Sequence, residues 1–473
     1  VCWEAQLGLN AGTRTVGSYH LWQAFFVKNC LLGTLTMSRF SVLEQASAAA
    51  TQANWPLLNR YLQQLLDREN RATASEKSDL LQKAGTQLLR WALEVLEAGD
   101  FQERWEVAKL FPSLGPQAIE PLIAILQDEE ADTDLRWFAG RILAEFHRPE
   151  AIAALAEILK TSGSQELSAM AADALANSGP AAIEALTDLL AQENSRLFAV
   201  RALAQIGHPE TIEPLLSAVR DPVAQVRAAA IEGLVGLRDE RIPPVLLSAL
   251  SDPAASVRRQ AVTGLGLRAD TLDQLQLVQL LRDRLWDFSF DVCQQAAFAL
   301  GRVGTPPAAA ALCEVLLSPA TPVPLQIEVA LALGWIDTIE AVEYLRQALP
   351  FASPALAQEI VTVLGRSEQP ETARRAGEII TEVLKSDLPT LQNPGVQQAA
   401  ALALAQLGDR RTTESVIELL ASSDAGVRLH AIAALKQLSP EHTHQQLQHL
   451  ANNPQLTPAL REGIAFALQE WPL

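Results

Sequence analysis

The sequence has little positive charge, few aromatic rings and little sulfur. Its 37 Lys and Arg stand against 55 Asp and Glu, for a formal net charge of −18. The phosphates of a nucleic acid are repelled by such a chain unless its cations are gathered into a stripe. Here they are spread singly, which excludes a nucleic-acid binder. Four cysteines, Cys2, Cys30, Cys293 and Cys313, include no CxxC pair. That excludes a disulfide framework and a zinc-finger spacing, and it fits a reducing, cytoplasmic compartment. No uninterrupted apolar run reaches the roughly 18 residues that a membrane span needs. Also missing are a nucleophile elbow, a phosphate-binding loop, a dinucleotide fingerprint and a kinase set. No carboxylates are paired for general acid–base work. No catalytic residue, metal ligand or cofactor is therefore assigned.

Ala and Leu dominate a chain that is 49% hydrophobic but only 5% aromatic, and both residues favour helix. The 473 residues are enough for two to four globular domains or for one elongated array. Internal repetition decides between these. The phrase DPVAQVRAAAIEGL (221–234) returns as DPAASVRRQAVTGL (252–265). Anchored on its closing Leu, the pattern recurs at Phe111, Leu143, Leu175, Leu203, Leu234, Leu265, Leu300, Leu333, Leu364, Leu404, Leu435 and Leu468, which makes twelve units. The residue eight before the anchor is mostly Val or Leu, and the residue four before it is mostly Ala, as in Val226–Ala230–Leu234. Positions i, i+4 and i+8 share one helical face.

Each unit opens with another apolar helix, such as AIEPLIAIL (118–126) or TIEPLLSAV (211–219), with Pro121 and Pro214 near its start. Gly115, Gly179, Gly207, Gly304 and Gly408 each follow an anchor by four, where a left-handed cap is wanted. Asp221 and Asp252, each followed by a proline, are expected to be N-caps, with Ser422 in the same role. One such helix pair cannot bury its own stripe, so the pairs stack and the fold class is an all-α solenoid. Residues 37–100 read as a helical cap, with Ser78 starting and Gly99 stopping its long helix, and 101–473 as the solenoid. Residues 1–36, which precede the first Met at Met37 and carry one acidic residue, read as a non-native or disordered extension.

A helix pair of this length, with Pro in the first helix and D-P-x-x-x-V-R-x-x-A-x-x-x-L opening the second, resembles the HEAT repeat. VRAAAIEGL, VRLHAIAALKQL and ERWEVAKLFPSLGPQAIEPLIAIL resemble the Ala-rich HEAT-like repeats of phycobilisome-lyase-type cyanobacterial proteins. The resemblance covers about 101–473. It implies a protein partner, with a phycobiliprotein as one candidate. It also implies, as an alternative to scaffolding, attachment or handling of an open-chain tetrapyrrole. No lyase motif can be matched here residue by residue.

Four local features bear on a site. Arg227, Arg258 and Arg428 follow the Val of the phrase, and in HEAT-like stacks this position pairs with an Asp of a neighbouring turn. The ladder of cations breaks at Cys293, Gln326, Ala357 and Gln397. The stretch RDRLWDFSFDVC (282–293) alternates Trp286, Phe288 and Phe290 with Asp287, Ser289 and Asp291. Three aromatics in such a chain either fill the core beside a longer turn or form a partner contact. Cys293 and Cys313 share one unit without a nearby His, so they read as ordinary helix residues. His442, His444 and His449 are not spaced as a zinc helix and read as an exposed face. The function expected is a non-enzymatic protein-binding scaffold or assembly factor using the concave face built by the second helices. A partner with a basic or neutral patch suits its charge.

Overall fold

The computed structural model describes residues 42–70, 74–270 and 272–471. The 1–36 extension lies outside them. Among the described residues there are helices and turns but no strand, and the chain is an all-α solenoid. It divides between Ala202 and Leu203 into two compact units.

The N-terminal unit begins with helices 42–51 and Trp55–Asn70, the latter packed on the long helix Ala74–Ala98. Leu58, Leu62, Leu65 and Leu66, at helical spacing, are buried, as are Leu88, Ala92, Val95 and Leu96. The long helix starts four residues before Ser78, because Ala, Glu and Lys extend it toward its N-terminus. It stops at Gly99. Asp100 and Glu103 then form a reciprocal capping box at 2.9 and 2.8 Å and start Phe101–Ala108. Pairs Ile119–Gln127 with Thr133–Ala144 and Pro149–Thr161 with Gln165–Asn177 follow. The stripe residues Ala139, Leu143, Leu167, Ala171 and Leu175 are buried, and Leu135 is half-buried.

The C-terminal unit repeats the arrangement. Seven of its second helices are Ala224–Val235, Ala255–Gly266, Phe290–Val303, Val323–Ile336, Pro354–Leu364, Pro394–Leu407 and Ala425–Leu438. Each packs on the next to make one layer. The Val–Ala–Leu stripes at 226/230/234, 257/261/265, 292/296/300, 396/400/404 and 427/431/435 are all buried. Small residues set how closely the layer packs. A Cβ on Gly365 would lie 2.5 Å from that of Ala403 on the next second helix. Pro121 and Pro214 each occupy the third position of a first helix, where the N–H has no intrahelical acceptor to lose.

All five glycines that follow an anchor by four have positive φ, between 60° and 86°. Two non-glycine residues share the conformation at this place: His147 (φ 48°) follows Leu143 by four, and Asp337 (φ 45°) follows Leu333, whereas Arg238, Ala269, Glu368 and Ser439, which also follow an anchor by four, are not left-handed. Where the turn takes this conformation, Gly is its least strained occupant.

The N-cap assignment needs correction. The second helices start at Ala224 and Ala255, with Val223 and Ala254 as their caps. The carboxylates of Asp221 and Asp252 accept instead from the N–H groups of Val223 and Ala254, both at 2.8 Å. A residue before Pro is pushed out of the helical region, and an Asp there closes an Asx turn two residues on. Ser422 does the same for Asp424, which is the cap of its helix.

Candidate partner-binding site

In the C-terminal unit the repeated phrase makes a ladder that holds successive interhelical turns together. Arg227 donates through Nε and Nη2 to Asp252 at 2.8 and 2.7 Å, and through Nη1 to the carbonyls of Asp221 and Pro222. Arg258 repeats this one unit on. It donates to Asp287 at 2.7 and 2.6 Å and to the carbonyls of Asp252 and Pro253. Each Arg thus ties its own turn to the Asp of the next in a bidentate fork. Burial on its own would raise the carboxyl groups of Asp252 and Asp287. The Arg hydrogen bonds and one backbone N–H each outweigh it and hold both below the usual carboxylate range.

Arg428 donates to the carbonyls of Ser422 and Ser423. At three of the four breaks a neutral group makes a hydrogen bond of its own. Cys293 Sγ donates to the Asp287 carbonyl at 3.1 Å, and Gln326 donates to Leu316 at 3.0 Å. Gln397 donates to the Gln392 side chain at 2.8 Å. At Ala357 the side chain carries no polar group, so the breaks remove the ladder's charge and most of its side-chain hydrogen bonding.

The stretch at 286–291 is the last rung of this ladder and also its most exposed turn. Asp287 stands five residues before Val292, as Asp221 and Asp252 stand before Val226 and Val257. Its side chain is 4% exposed, turned inward to Arg258. It is thus not offered to a partner. Phe288 takes the place of the prolines in the repeated phrase. With Asp287 held inward, Phe288 stands fully in solvent at 107% relative exposure, flanked by Trp286 at 50% and Phe290 at 43%. The three rings do not fill the core. Asp291 is exposed beside them.

Elsewhere, Cys293 and Cys313 are buried free thiols. Burial, aided by Glu314, pushes Cys313 up to about 11. His442 and His449 are exposed, but His444 is buried against Trp471, ring centroids 5.7 Å apart, because the chain after the last helix folds back over it. Among the described residues no group of three or more His, Cys, Asp or Glu is placed to hold a metal ion. No helix among them is long and apolar enough to cross a membrane. The sequence reading missed a cluster in the N-terminal unit, where Trp105, Trp137 and Arg141 meet across two helices. Their separation along the chain gave no local signal.

A family model described as HEAT repeats matches residues 86–176, 119–197, 191–247, 242–324 and 381–469. These matches take in well over half of the chain, which belongs to the HEAT-repeat family. Among solved structures, Kap121p matches with a TM-score of 0.52 at 14% identity, over 82% of this chain and 49% of that one. A crystal structure of importin beta matches with a TM-score of 0.50 at 14% identity, over 92% and 67%. The chain therefore spans about half the length of Kap121p. These likenesses are of fold. The complex of CpcE and CpcF of phycocyanin lyase from Nostoc sp. PCC7120 aligns at 21% identity over 50% of this chain and 95% of that one, with a TM-score of 0.29. No curated protein matches the sequence significantly.

Proposed function

We propose that the protein is a non-enzymatic scaffold or assembly factor that binds another protein. It does so along the face built by the second helices, with the turn at 286–290 as an anchor. The observation that supports this most is the exposure of Trp286, Phe288 and Phe290 on a turn fastened by the Arg258–Asp287 pair. Exposed rings on a rigid support bury large area on binding at little entropic cost. A net charge of −18 favours a partner with a basic or neutral contact surface and predicts association that weakens with salt.

The finer reading is a role in assembling phycobilisomes or other photosynthetic complexes in the cytoplasm, with a phycobiliprotein as partner. Its support is the resemblance of the repeat phrase. Handling of a bilin as a lyase or chaperone is the alternative, and it needs a groove for the pigment. The test is capture by the tagged chain from a phycobiliprotein-containing lysate, read by visible absorption and mass spectrometry. Co-purified phycobiliprotein supports the pigment-assembly reading, and free bilin favours the alternative. A colourless complex with another protein leaves the scaffold and removes the pigment.

A further inference from the structure

The N-terminal unit carries a built cleft that the repeat pattern does not require. Trp105 stands on the helix Phe101–Ala108, and Trp137 and Arg141 stand one turn apart on Thr133–Ala144. The Arg141 guanidinium carbon lies 5.6 Å from the centre of the Trp105 ring and 5.1 Å from that of Trp137. Lys109 Nζ lies 5.8 Å from the Trp105 ring. Phe101 stacks on Trp105, with centroids 6.3 Å apart and planes 16° from parallel, and it meets Phe138 edge-on. A cleft of about 310 Å³ opens beside these groups, lined by Trp105, Lys109, Pro112, Arg141, Ile142 and Glu145 among others.

Two features of this cleft point to its occupant. Its wall is apolar and aromatic, and large enough for one bulky side chain. Its charge is unbalanced: Lys109 and Arg141 face one carboxylate, Glu145. Neither cation has a carboxylate within ion-pair distance among the described residues, whereas nearby Arg104 pairs with Asp132 at 3.1 Å. Two indoles within cation–π range steady the Arg141 guanidinium, whose planar N–H edge suits a carboxylate acceptor. One added carboxylate neutralises the excess. At physiological salt the screening length is about 8 Å, so these near cations outweigh the distant negative charge of the rest of the chain.

We propose that this cleft receives a segment of a partner protein in which a bulky apolar or aromatic side chain adjoins a carboxylate. The side chain lies against Trp105 and Ile142, and the carboxylate meets Arg141 and Lys109. The inference rests on the protein-binding reading above and names the partner chemistry for one end of it. It differs from the basic or neutral surface that the net charge favours elsewhere.

The test is fluorescence anisotropy with the whole chain and a short fluorescein-labelled peptide carrying Asp-Phe-Asp in a Gly/Ser frame. Controls carry Lys-Phe-Lys or Asp-Ala-Asp. The Asp-Phe-Asp peptide is expected to bind at least about tenfold more tightly than either control, with affinity falling as salt rises. Arg141→Gln, an exposed position, is expected to lose about tenfold with an unchanged melting curve, and Trp105→Ala to lose as much. Equal binding of the Lys peptide, or no loss in Arg141→Gln, overturns the proposal. Equal binding of Asp-Ala-Asp with displacement by inorganic phosphate also overturns it, by showing an anion site alone. Trp286→Ala/Phe288→Ala is expected to leave peptide affinity unchanged. If no peptide binds while protein capture through that turn persists, the cleft proposal fails and the scaffold reading stands.

Discussion

At the scale of the residue, the chain uses a few side chains to fix turns, and each has a measurable cost. Removing one member of the Arg258–Asp287 pair leaves a buried charge unpaired. Asp287→Ala should therefore destabilise the C-terminal unit by about 3 kcal/mol, measured by denaturant unfolding. The pH dependence follows from the lowered carboxyl groups of Asp252 and Asp287. Their contribution is fully present above the unfolded-state value of about 3.9 and is lost as pH falls through the lower folded values. Asp287→Asn should flatten that acid limb, and an unchanged limb would show that the pair contributes nothing. The left-handed turn position gives a paired prediction. Gly304→Ala should cost about 1 kcal/mol, while His147→Gly should gain some tenths, because the same backbone conformation is relieved rather than strained. Asp337 is different, since its carboxylate accepts from the N–H groups of Glu368 and Gln369 in the next turn. Asp337→Gly gives up those bonds as it relieves the strain.

At the scale of the element, the repeat is readable because its causes are local. A Val–Ala–Leu face, a proline early in some first helices and a glycine four residues after five of the anchors all act within one helix or turn. The structure shows the stripes buried and the glycines left-handed. The helix starts are harder to read. Asp-Pro looks like cap and first residue, yet the proline's effect on the residue before it moves the helix two residues on. Asp287 is equally readable in principle. Its distance from Val292 matches that of the other rungs, but the aromatics around it mask the phrase. The aromatic cleft is not readable, because its parts come from two repeats and meet only after stacking. Layer packing gives the prediction that belongs here. Gly365→Val puts a branched side chain against Ala403 of the next second helix, whose Cβ and Cα already lie within 2.7 Å of where a Cβ would stand. The two helices must move apart to admit it, at a cost of about 1–3 kcal/mol in denaturant unfolding.

At the scale of the whole molecule, stacked helix pairs supply long surfaces rather than a single enclosed site. Family and fold are legible from the repeat, but a repeat that builds only structure says little about what it binds. The exposed turn at 286–290 makes the specific claim that this surface has an anchor. The most direct measurement is quantitative capture from lysate with the wild-type chain and with Trp286→Ala/Phe288→Ala, read by mass spectrometry, with melting curves of both. Both side chains are exposed, so the double variant should melt as the wild type does. It should lose about tenfold or more of one captured protein, and the remaining capture should weaken with salt. Unchanged capture by a folded double variant would contradict the account.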